Sequence, residues 1–146
     1  MAEAQHRQIV DVPLKKLYQA ILDFEKYPLF ASGVKQAQVL EKTKEATVVQ
    51  MQVEMMKKID YSISVKSDYS DEKAKVWWSL KEGDFFQKND GLWELTFVDA
   101  QKTQVTYKLD LEFAVNVPSF ILKGLIKTSL PKAVEEFTAE AKRRES

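Results

Sequence analysis

Cysteine is absent from this chain of 146 residues, and histidine occurs once, at His6. Without thiols no disulfide or thiolate metal site can form, and one imidazole does not make a zinc centre, so no metal site and no cofactor are expected. The lack of cysteine also suits a reducing compartment. Charge of one sign is missing too. Lysine plus arginine number 22 and aspartate plus glutamate 22, so no global field draws the chain to nucleic acid or to anionic lipid. No apolar run approaches the roughly 20 residues that span a bilayer, which argues against stable membrane insertion. The opening MAEAQHRQIVDV lacks the apolar core of a signal peptide, and a cytoplasmic location is expected. No P-loop, dinucleotide fingerprint or serine elbow occurs, and no catalytic residue is assigned.

What is present is a change of period. His6 to Val12 reads as a short strand. Asp11 is placed to cap a helix that holds Pro13 in its first turn, with Leu14, Leu17, Tyr18, Ile21 and Leu22 at helical spacing to about Phe24. Tyr27-Pro28 interrupts it, a further helical turn runs to Phe30, and Gly33 ends the excursion. From Val34 to Val115 the period is two. Thr47–Met56 and Ile59–Ser67 must fold into a hairpin around Lys57, Lys58 and Asp60, because one strand over the whole stretch Glu45 to Ser67 would be some 75 Å long, at about 3.3 Å per residue. Val49, Met51, Val53 and Met55 share a face, as do Tyr61, Ile63 and Val65, and Ala74, Val76, Trp78 and Leu80. Gly83-Asp84 and Asn89-Asp90-Gly91 read as turn or bulge signals around Phe85-Phe86. Trp93, Leu95 and Phe97 follow. Val105, Tyr107, Leu109, Leu111, Phe113 and Val115 face one way in the last strand, with polar residues between them, so the sheet has one dry and one wet face. Asn116 and Pro118 then open a long helix carrying Phe120, Ile121, Leu122, Leu125, Ile126, Leu130, Ala133, Val134 and Phe137. Pro131 predicts a kink. Lys127 and Val134, seven apart, cannot both lie on one apolar stripe of a straight helix. With no repeat, linker or low-complexity tract, residues 1–146 form a single domain.

This order of elements, an α+β chain with two short helices after the first strand and about seven antiparallel strands before a terminal helix, resembles the START-like (SRPBCC, helix-grip) superfamily. ILDFEKYPLF, Ile21 to Phe30, resembles the helix-turn of polyketide cyclase/dehydrase-type and coenzyme-Q-binding-type members. NDGLWEL, Asn89 to Leu95, resembles their glycine–tryptophan strand, and Leu111 to Phe137 their last strand and gripping helix. The resemblance implies a curved antiparallel sheet wrapped around the long, kinked C-terminal helix, with a cavity between them. It also implies hydrophobic ligands such as lipids, sterols, quinones or polyketides, and catalysis of cyclisation or dehydration in a minority of members.

On that expectation the cavity wall falls to Met51, Met55, Trp78, Trp93, Phe97, Phe113, Ile121 and Leu125, apolar and adaptable as ligand sites usually are. Tyr61 and Tyr107 are the polar anchors among them. The bland alternative is a filled core in which both tyrosines merely pack. The sequence reading favours a non-enzymatic binding or carrier protein for a hydrophobic small molecule. Two alternatives are a polyketide cyclase or dehydrase using Tyr107 or Tyr61 as the acid, and a ribosome- or protein-associating module. Arginine occurs only at Arg7, Arg143 and Arg144, and a cyclase calls for an arginine or several polar groups in its pocket. Glu135 and Glu136 read as a solvated helix face, as do Lys123 and Lys127. Trp77, on the outer face, marks a possible protein partner or homodimer contact.

Overall fold

The computed structural model describes residues 2–55 and 57–145, without the side chains of residues 2, 55, 125, 126 and 145. Seven strands form one sheet: β1 Ala2–Val10, β2 Val34–Lys42, β3 Thr47–Met55, β4 Lys57–Tyr69, β5 Lys73–Glu82, β6 Phe86–Asp99 and β7 Lys102–Phe113. Their spatial order is β1-β7-β6-β5-β4-β3-β2, and every pairing is antiparallel. Between β1 and β2 the chain crosses the dry face as α1 (Leu14–Leu22), a 3₁₀ turn (Phe24–Lys26) and α2 (Tyr27–Phe30). The terminal helix runs as α3 (Ser119–Gly124), a π-helical turn (Leu125–Ser129) and α4 (Leu130–Glu145).

The two-residue period and the observed burial agree along the central strands. Val49 and Met51 of β3, Ile63 and Val65 of β4, Ala74 and Val76 of β5, and Trp93 and Leu95 of β6 are buried in one core. α1 buries Leu14, Leu17, Ala20 and Ile21 against it. α4 adds Leu130, Val134, Phe137 and Ala141, spaced as one helical stripe. A smaller cluster joins Ile59, Phe85, Phe86, Leu111 and Leu130.

Three local readings change. Asp11 does not cap α1: the helix starts at Leu14, and Pro13 stands in the capping place in extended conformation, without a side-chain bond. Asn89-Asp90-Gly91 is no turn, because β6 runs unbroken through it. The hairpin between β3 and β4 pairs Met55 with Lys57, tighter than expected; Met56, assigned to its first arm, lies outside the described residues. The bend in the terminal helix arrives as a π-helical turn immediately before Pro131. The proline ring crowds the carbonyl four residues back and offers no N–H. Widening the helix there takes up the mismatch, as π-bulges commonly do where helices bend. The stripe shifts accordingly, with Lys127 exposed and Val134 buried.

Candidate functional site: a cavity between sheet and terminal helix

Between the dry face and the terminal helix lies a cavity of about 530 Å³, within the roughly 300–1,000 Å³ range of ligand sites. Its wall is mostly apolar: Met51, Ile63, Val65, Val76, Trp93, Leu109, Leu111 and Phe137 all contribute. The exposed lining residues gather at one place. Ser32 and Gly33 before β2, Glu54 of β3, Thr128 and Ser129 of the π-helical turn, and Lys132 of α4 form a mouth. Across it the Ser32 backbone N–H donates to both oxygens of the Glu136 carboxylate, at 3.1 and 3.2 Å. Glu136, expected on a solvated face, therefore ties α4 to the turn before β2.

Part of the cavity wall is built of packed aromatic rings. Phe137 meets Tyr27 and Phe30 edge-on, with centroids 5.1 and 5.0 Å away, and packs on Trp93 at 5.0 Å. Tyr107 stacks on Trp93 at 4.1 Å. The Tyr27 hydroxyl donates to the Ile21 carbonyl, so the YPLF segment is pinned to α1 and clasps Phe137.

Deeper in, the polar groups are neutral. Trp78 Nε1 donates to Asn89 Oδ1 at 3.3 Å. Burial pushes the Tyr61 phenol up to about 12, with the Asn89 side chain pulling the other way. Burial also raises Tyr107, helped by the nearby Tyr61, and raises Tyr27 well above its ordinary value. All three phenols keep their protons at neutral pH. Two glycines make room for this cluster. A Cβ on Gly91, which pairs with Trp78 across β5 and β6, would collide with the indole ring. Gly83, at φ +145°, brings the chain so close to Tyr61 that a Cβ would lie 2.8 Å from that of the tyrosine. Strand glycines often mark such close approaches.

Of the residues assigned to the wall from sequence, Met51, Tyr61, Trp78, Trp93 and Tyr107 line the cavity. Phe97 does not. It has the inward parity of β6 but sits near the strand's end, beyond helical cover, and is 48% exposed. Phe113 packs instead on Phe85 and Phe86, and Ile121 of α3 is only partly covered and lies off the lining. The side chains of Met55 and Leu125 lie outside the described residues. Sequence reasoning missed Asn89, Tyr27 and Glu136. Asn89 was legible: positions 89, 91, 93 and 95 continue one face, and its 5% exposure is what that period implies.

A sheet gripping a bent helix over a ligand-sized apolar cavity defines a START-like protein. The chain belongs to the polyketide cyclase / dehydrase and lipid transport family, whose match covers residues 10–138. In overall structure it is similar to a START superfamily protein from Mycobacterium smegmatis, with TM-score 0.84, 17% identity and 99% of each chain covered. It is also similar to the Zhui aromatase/cyclase from Streptomyces sp. R1128, with TM-score 0.84 and 15% identity over 99% of this chain and 95% of that one. A STAR-related lipid transfer protein from Xanthomonas axonopodis aligns with TM-score 0.78 and 12% identity over 94% of this chain and 84% of its own. No curated protein matches in sequence. Among the described residues no helix is long and apolar enough to cross a membrane.

Proposed function

We propose that this protein binds and carries a hydrophobic small molecule, of lipid, quinone or polyketide type, without transforming it. The observation that carries this reading is the cavity: about 530 Å³ of space walled by aromatic and aliphatic side chains, in a family described by cyclisation, dehydration and lipid transport. An apolar body placed there leaves water at about 25 cal/mol per Å² of its surface. Cyclase or dehydrase chemistry would need the cavity's phenols to give up protons. Burial makes them weaker acids than ordinary tyrosine, which suits holding a ligand better than protonating one. Native mass spectrometry of the purified protein, followed by organic extraction, tests the proposal: a bound apolar species is expected. A chain that arrives empty and takes up no quinone, fatty acid or sterol overturns it. Turnover of a poly-β-ketone that Tyr107→Phe abolishes would replace the carrier with an enzyme.

A further inference from the structure

The polar cluster deep in the cavity has a direction. An indole N–H only donates, so the Asn89 atom facing Trp78 Nε1 must be its oxygen. That leaves the amide N–H₂ to face Tyr61, and it agrees with the way Asn89 opposes the rise in the Tyr61 pKa: only a donor to the phenol oxygen acts in that sense. Trp78 thus fixes the orientation of the Asn89 amide, and the Tyr61 hydroxyl proton remains to be given. Among the described residues nothing accepts it. The Tyr107 hydroxyl has no acceptor either, its ring being held flat against Trp93. Both residues line the cavity.

Resting on the reading of the cavity as a hydrophobic-ligand site, we infer that Tyr61 and Tyr107 form a donor pair for one neutral carbonyl oxygen, a ketone, quinone or ester, at the buried end of the ligand. Asn89 and Trp78 act as positioning residues that aim Tyr61. The alternative headgroup for two donors is a carboxylate. The surroundings speak against it: the same burial that disfavours a phenolate disfavours any anion placed beside it, and among the described residues no cation lines this end to offset the loss of water. Lys132, Glu54 and Glu136 stand at the mouth, so charge on a ligand belongs there.

Three probes of one shape test this by equilibrium dialysis: 2-acetylnaphthalene, 2-ethylnaphthalene and 2-naphthoate. Tyr61→Phe combined with Tyr107→Phe should weaken the ketone about tenfold and leave the ethyl compound unchanged, since each neutral hydrogen bond is worth on the order of threefold to tenfold in affinity. Asn89→Leu should cost the ketone about threefold, again sparing the ethyl compound, a selectivity that general loosening of the cavity would not produce. Naphthoate should bind more weakly than the ketone and be indifferent to Tyr61. Equal effects of the phenylalanine pair on ketone and ethyl probe would overturn the donor-pair inference and leave the hydrophobic-ligand reading standing. Tight naphthoate binding that depends on Tyr61 would overturn the preference for neutral ligands. If none of the three binds at millimolar concentration, the ligand reading itself falls.

Discussion

The two halves of the terminal helix meet the rest of the molecule on opposite terms. α4 is held by a stripe of buried side chains, by the aromatic clasp on Phe137, and at its far end by charge. Glu140 accepts from Arg143 at 2.9 and 2.7 Å and from Arg144 at 2.7 Å, and Arg144 reaches Asp23 after α1 at 3.1 Å. α3 has no buried residue, and Phe120 at its start is 71% exposed. The π-helical turn separates the two, and Pro131 stands in the first turn of α4. A helix anchored at one end and loosely laid at the other can open locally at its loose end while the anchored half stays packed, because local opening is cheapest where few apolar contacts must be broken.

The largest test of this contrast is Phe137→Ala. It removes a ring packed on Tyr27, Phe30 and Trp93, and should cost about 3–5 kcal/mol by urea unfolding. A loss no larger than a surface substitution would put the anchor elsewhere.

Acid provides the second test. Arg143, then Arg144, hold the Glu140 carboxyl down at about 2 against an ordinary 4.5. A carboxylate depressed on folding stabilises the protein above its ordinary pKa, and the contribution drains away as pH falls from about 5 to about 2. The full linkage is discounted, because the Arg143 side chain is 71% exposed; on the order of 2 kcal/mol remains. Glu140→Gln should flatten that part of the stability–pH curve and leave the rest. An unchanged acid limb would detach α4's end from the anchor.

Hydrogen exchange sharpens the contrast residue by residue. Without ligand, amides 120–130 should open tenfold or more faster than amides 134–141, on the order of 1.4 kcal/mol between the halves, and should slow when a cavity ligand is added. Equal protection in both halves would reduce the bend at Pro131 to a static fit. The smallest expected effect is Phe120→Ala, within about 0.5 kcal/mol of the parent; a cost approaching that of Phe137→Ala would erase the asymmetry.

The period-two pattern made the sheet legible because it is a local signal: Val105 to Phe113 alternate as β7 alternates. The proline at 131 announced the bend for the same reason. Asn89-Asp90-Gly91 misled, since these residues favour turns by local conformation, whereas their use here depends on a strand partner distant in the chain. Gly91 is there for the Trp78 indole, and Asn89 for its N–H. Phe97 had the right parity, yet burial also needs something overhead, and no period reports where helical cover stops. The clasp of Tyr27 and Phe30 on Phe137 joins segments more than a hundred positions apart, which no window along the chain can connect.

The order of the sheet has a consequence for how the chain assembles. β2 through β6 each pair with the next strand in sequence, so hairpins can be added one after another as the polypeptide emerges. β1 is the exception. It is synthesised first, yet its partner is the last strand, with Val10 set against Thr103. Closing that long loop carries an entropy cost that no nearby contact offsets beforehand. β1 therefore docks late, and until it does β7 offers an unpaired edge to any neighbouring chain. Slow, concentration-sensitive refolding should trace to this one seam rather than to the hairpins.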